Sequence, residues 1–148
     1  MWPDQVNKVF FLYGGEYANT TTQGFGTLWY YDTIYNTWNR STSPDASQSQ
    51  ISWPGFGAGT TNDEGTGYYY GGYLSDKSVS PWNSDPLMLN SIVSYNMTAR
   101  TWQNYTYDPT PRAEGSLQYI PAGDRGMLVY FGGIETINGA IVYVRIAD

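Results

Sequence analysis

The sequence has no histidine and no cysteine. Without cysteine no disulfide can form, and the redox compartment cannot be inferred from thiols. A metal site would have to be built from oxygen alone, which excludes zinc and copper centres of the usual kind. The commonest general base is missing as well. Charge is also scarce: 14% of residues are charged, against about 25% in an average domain. The seven bases (Lys8, Arg40, Lys77, Arg100, Arg112, Arg125, Arg145) are scattered, and the net charge is −6. A phosphate backbone or an anionic membrane needs a clustered cationic face, so nucleic acid and acidic lipid are poor partners. No apolar run approaches 18 residues, so no membrane span is expected. The first residues, MWPDQVNKVFF, lack a basic segment followed by an apolar core and do not read as a signal peptide. No window shows the helical apolar period, so helices are not expected.

What is present is aromatic and glycine-rich: 15 Tyr, 6 Trp and 17 Gly in 148 residues, a size that suits one domain. That composition favours short strands and tight turns. The chain is organised around 9–38. An apolar run, VFFLYGG, ends at Gly14 and Gly15. A polar loop (16–26) follows, then LWYYD, whose acid is Asp32, and then a lone Trp38. The order returns with Gly71, Gly72, Asn96 and Trp102, and its first half returns in MLVYFGG, ending at Gly132 and Gly133. The pairs begin at 14, 71 and 132, spacings of 57 and 61, while Asp32 to Trp38 and Asn96 to Trp102 are both six residues. Length varies only in the loop after each glycine pair, as expected of packed parts joined by free loops.

Strands are expected over 8–13, 27–31, 38–41, 55–61, 67–70, 91–95, 101–105, 114–120, 127–131 and 140–146. Residues 1–3 are a stub, 41–54 and 108–112 are connections, 73–90 is a long polar loop and 134–139 a short one.

Repeats of about 50 residues mark propeller blades of the kelch type. At these positions the sequence resembles a kelch repeat over nearly its whole length. In detail it resembles more closely still a fungal group of kelch proteins whose fold is like the central domain of galactose oxidase, with phrases such as LWYYDTIYNTW, GYYYGGY, RAEGSL and PAGDRGMLVYFGG. The resemblance implies an all-β, partial kelch β-propeller of about two and a half to three four-stranded antiparallel blades. The blades would be 1–41 (strand one incomplete), 55–105 and 112–148 (incomplete). Trp38 and Trp102, in strand four, would pack between sheets. It also implies an extracellular or cell-surface protein, often with one membrane span after the propeller. A closed propeller needs about four to eight blades, so the chain is expected to be part of a larger protein whose remaining blades are its first partners.

The expected function is a non-catalytic scaffold for protein or glycan, with no cofactor and no metal. The alternative is the N-terminal piece of a galactose-oxidase-like or other carbohydrate-active enzyme. Galactose oxidase and the plant nitrile-specifier kelch proteins use histidine at their metals, which this chain lacks. Four sequons make Asn19, Asn39, Asn96 and Asn104 glycosylation candidates, with a turn role the rival reading at Asn96. The loop aromatics Tyr17, Phe25, Tyr73 and Trp82 are the ligand candidates. Tyr68, Tyr69 and Tyr70 read as core strand. Asp63 and Glu64 read as a solvated turn, too few oxygens for calcium. Glu16 and Glu114 could serve glycoside chemistry only if they faced each other across a cleft, which the sequence does not indicate.

Overall fold

The computed structural model describes residues 1–18, 26–42, 50–106, 109–138 and 140–143, and these are all β, with no α-helix among them. The first sheet is antiparallel and four-stranded, in the order β1 (Trp2–Asp4), β2 (Val9–Leu12), β3 (Trp29–Asp32), β4 (Thr37–Arg40). The stub expected at 1–3 is therefore a strand. Trp2 pairs with Phe11, and its indole is almost fully buried, which supplies the apolar gain that holds so short a strand.

β5 (Ala58–Thr61) and β6 (Thr66–Tyr70) begin the second sheet. A small hairpin follows, β7 (Tyr73–Leu74) paired with β8 (Leu87–Met88), inside the stretch expected to be a plain loop. β9 (Ser91–Asn96) and β10 (Thr101–Thr106) complete the sheet, whose order is β10-β9-β6-β5. Then come β11 (Arg112–Ala113), β12 (Ser116–Ile120) and β13 (Met127–Phe131). β12 and β13 form a hairpin that packs on the second sheet. β14 (Ile134–Ile137) occupies most of the expected loop at 134–139 and lies between β11 and β15 (Ala140–Tyr143). The expected strand at 140–146 is seen over 140–143; 144–146 fall outside the described residues.

The turns explain why an acid or amide recurs before each return. Asp4 accepts hydrogen bonds from the amides of Val6 and Asn7, Asp32 from those of Ile34 and Tyr35, and Asn96 from those of Thr98 and Ala99. Four residues after each stands a residue with positive φ: Lys8, Asn36 and Arg100. A short side chain that accepts two local amides satisfies the reversing backbone before water must. Asn62 does the same for Glu64 and Thr66, so Asp63 and Glu64 do lie in a turn.

Alternation divides every strand between two faces. One face of the first sheet, with Trp2, Phe11 and Tyr30, meets one face of the second, with Tyr69, Val93, Tyr95 and Trp102. The second sheet's other face, with Ala58, Tyr68, Tyr70 and Ile92, meets Leu117, Leu128 and Tyr130 of the β12–β13 hairpin. Trp102 is 4% exposed, with ring contacts to Trp2, Tyr13, Trp53 and Tyr95 at 4.5–6.0 Å. Trp38 is different: it points away from the second sheet and is 49% exposed. The expectation that it packs between sheets is corrected, because no described sheet lies on that side of the first one.

Candidate functional site

The first two glycine pairs turn the chain out of a unit's second strand and against the stretch that leads into the next unit. All six glycines have positive φ, where any side chain is strained. The Gly15 amide donates to the Pro54 carbonyl at 3.0 Å, and Gly72 donates to Arg112 at 2.8 Å. A Cβ on Gly14 or Gly71 would come closer than 3.0 Å to those same two carbonyl oxygens. The third corner keeps the backbone shape, yet around Gly132 no described atom lies within 4 Å of where a Cβ would be.

The receiving stretches match one another. Pro54-Gly55-Phe56-Gly57 occupies the place that Arg112-Ala113-Glu114-Gly115 takes one unit later. Gly57 is covered by the Tyr69 ring and Gly115 by that of Tyr130. The Tyr69 hydroxyl donates to Pro54 (3.2 Å) and accepts from the Gly57 amide (2.8 Å), while the Tyr130 hydroxyl donates to Ala113 (3.0 Å). Phe56 and Glu114 both have positive φ, 58° and 60°, and the Glu114 amide donates to the Phe56 carbonyl. The corners thus aim the residues after them at one end of the sheets, where the loops collect.

At that end Phe56 and Tyr73 stack, with centroids 4.8 Å apart and planes 14° from parallel. Tyr73 is fixed by two backbone hydrogen bonds to Gly55, of 2.9 and 3.0 Å. Glu16 packs beside Gly55 and accepts a hydrogen bond from the Ser75 hydroxyl at 2.9 Å. Burial, and then the Glu114 and Glu16 carboxylates, push the Tyr73 hydroxyl above its ordinary pKa. The platform is therefore two aromatic rings beside two exposed carboxylates. Glu16 and Glu114, which the sequence did not bring together, both bear on Tyr73.

Two clefts open nearby. One, of about 410 Å³, lies beside the first glycine pair and is lined by Leu12, Glu16, Tyr17, Trp29, Trp38 and Trp53 among others. The other, of about 560 Å³, runs between the β7–β8 hairpin and β14, and its lining includes Tyr73, Asp85, Met88, Glu114 and Ile134. Arg112 and Glu135 pair at 2.7 Å on the strands behind it.

Of the aromatics chosen from sequence, Tyr73 belongs to the platform and Tyr17 to the first cleft, where its amide donates to Lys77. Trp82 lines neither cleft; its indole nitrogen is buried with no hydrogen-bond acceptor among the described residues. Phe25 and Asn19 lie outside the described residues. Asn104 is exposed on β10, with its amide donating to Gln50 at 3.4 Å, and Asn39 is half-buried on β4. Asn96 is exposed, and its side-chain oxygen serves the turn. Phe56 was missed in the sequence. Aligning PGFG (54–57) with RAEG (112–115), four residues ahead of each unit's first strand, would have found it. Among the described residues no three His, Cys, Asp or Glu side chains cluster as metal ligands, and no helix is long and apolar enough to cross a membrane. No protein-family model matches the chain, and no curated protein matches it significantly.

Proposed function

We propose that the chain is a non-catalytic, kelch-type propeller segment that binds protein or glycan through its loop end, as part of a secreted or cell-surface protein. The propeller reading is supported by three units packed face to face, each joined to the next at a glycine-pair corner. The binding reading rests on one observation: the stack of exposed Phe56 on half-buried Tyr73, with the Glu16 and Glu114 carboxylates near it. A planar aromatic pair accepts the apolar face of a pyranose or a partner's aliphatic side chain. Carboxylates beside it accept hydrogen bonds from sugar hydroxyls or from Lys and Arg.

A glycan array probed with labelled protein, followed by calorimetry on the best glycan, tests this site. Phe56→Asn removes the ring with a residue that tolerates positive φ, and should weaken binding about tenfold, as loss of roughly 1.4 kcal/mol implies. A glycan or protein ligand that binds Phe56→Asn and Tyr73→Ala as tightly as wild type would refute the platform.

A further inference from the structure

Five residues at the loop end come from matching places in the repeat. One residue after each glycine pair stand Glu16, Tyr73 and Ile134. Third in the two receiving stretches stand Phe56 and Glu114. Tyr73 is bridged to Gly55 as Ile134 is paired with Ala113, so each of these post-corner residues lies beside its own unit's receiving stretch. Contacts between units join them up: Glu16 packs beside Gly55, and the Glu114 amide donates to the Phe56 carbonyl at 2.8 Å. The five positions make one row that reads acid, aromatic pair, acid, aliphatic. Units stack through their sheet faces, so a further unit would lengthen this row and leave it open.

The row runs into the cleft of about 560 Å³ between the β7–β8 hairpin and β14. The cleft wall is largely apolar, with Leu87 and Met88 on one side and Ile134 on the other. Its polar side chains are Tyr73, Asp85, Glu114 and Thr136, and the Thr136 hydroxyl is turned to the Met88 sulfur at 3.5 Å. Asp85 and Glu114 are exposed, and a carboxylate only accepts. Among the described residues no Lys or Arg lines this cleft. Arg112, behind it, pairs with Glu135 at 2.7 Å, and Lys77 is tied by its carbonyl to Tyr17 beside the first cleft. An occupant must therefore bring donors and positive charge to the rim and an apolar group to the wall. A sugar carries a hydroxyl on nearly every carbon, and those set against Leu87, Met88 and Ile134 would be buried without partners. A basic and aliphatic stretch of peptide meets both demands.

Resting on the platform proposed above, we infer that its partner is a protein rather than a glycan: an extended segment in which a Lys or Arg lies close to a Leu, Ile or Met. The aliphatic side chain enters the cleft against Leu87, Met88 and Ile134. The cation stays at the rim, where the Asp85 and Glu114 carboxylates accept its hydrogen bonds. Its stem or its charge covers the ring of Phe56, which is 47% exposed. Glu16, at the other end of the row, favours a second basic residue along the same segment.

Fluorescence anisotropy of the full chain with labelled short peptides tests this. Each peptide carries a Lys or Arg and a Leu a few residues apart in a Gly-Ser background, and its controls replace the base by Glu or the Leu by Ser. At least one peptide should bind about tenfold more tightly than either control. Asp85→Asn, Glu114→Gln and Leu87→Ser, all at exposed positions, should each weaken that peptide severalfold while the β circular dichroism is kept. If no peptide binds better than its Glu control, the inference falls; glycan binding that Phe56→Asn weakens would then leave the platform standing with another ligand. A basic peptide that Asp85→Asn and Glu114→Gln leave at wild-type strength also overturns it, because the net charge of −6 would by itself account for the attraction. A peptide that weakens on Glu114→Gln yet is unmoved by Phe56→Asn upholds the cleft and its ligand and refutes the platform.

Discussion

Alanine at the corner glycines separates packing from conformation, because Gly71 and Gly132 share a backbone shape and differ in what they face. Their φ values are 65° and 70°. Placing a Cβ in that region costs roughly 1–2 kcal/mol at either position. At Gly71 the Cβ also overlaps the Arg112 carbonyl oxygen, backbone that cannot rotate away. Relief requires moving the segment that enters the third unit, which breaks the 2.8 Å hydrogen bond from Gly72 to that same carbonyl. Leaving these groups unpaired adds roughly 1–3 kcal/mol. The sum for Gly71→Ala is about 2–5 kcal/mol, and for Gly132→Ala only the conformational part. In a chain of this size, each kcal/mol lowers Tm by about 2–4 °C. Thermal melts followed by circular dichroism should show Gly71→Ala losing several degrees more than Gly132→Ala. Equal losses would refute the view that the third corner stands open while the second is closed on its neighbour.

Two further outcomes follow from burial. Trp102→Ala should cost roughly 3–5 kcal/mol, the usual range for removing a buried aromatic, whereas Trp38→Ala should stay within about 0.5 kcal/mol in dilute, unassociated protein; urea melts monitored at low concentration decide, and similar losses would contradict the difference in their exposure. Stability should also fall in alkali. Burial pushes the Tyr69 hydroxyl up to about 12 and that of Tyr13 well above its ordinary value. Between pH 10 and 12 the unfolded chain gives up the Tyr69 proton while the folded chain keeps it, so stability is intact below pH 10 and drops by roughly 1.4 kcal/mol per pH unit above it. Tyr69→Phe should flatten that slope by one proton, and an unchanged slope in urea melts across this range would refute the assignment.

The sheets were legible because their signals are local. A run such as VFFLY followed by two glycines states both the strand and its end, and Asp32 or Asn96 marks the reversal. Trp38 and Trp102 were legible as strand residues at matching places in the repeat, but which of them is buried was not. Tyr31 with Trp38 and Tyr95 with Trp102 are the same pattern, and only the presence of a sheet on one of them makes the difference. β1 was missed because Trp2-Pro3-Asp4 has no strand signal of its own; it pairs because the Trp2 ring stacks on Tyr13 at 5.1 Å and donates its indole N–H to the Tyr68 carbonyl. β7, β8 and β14 were missed for the same reason, being short strands held by tertiary pairing. The platform was half legible: Tyr73 was chosen as a loop aromatic, whereas Phe56 lay hidden in 55–61, a stretch read only as a strand.

The exposed Trp38 and the open Gly132 corner express one property from opposite ends. Each unit is stabilised mainly by its neighbours, through a near face on a far face and a glycine corner against an entering carbonyl. In such an array stability is close to a sum of nearest-neighbour terms. The second sheet has both neighbours and holds the densest ring packing, Tyr95 on Trp102 at 4.5 Å and Tyr70 on Tyr130 at 4.9 Å. Among the described residues the first sheet has a neighbour on one face only, and it keeps a strand of three residues at its edge. The β12–β13 hairpin likewise has one described neighbour, the second sheet, and carries half-exposed Met127 and Phe131. Hydrogen exchange should therefore show the β6 and β9 amides protected longest and those of β1 and β13 exchanging first; equal protection across the three units would contradict this ordering.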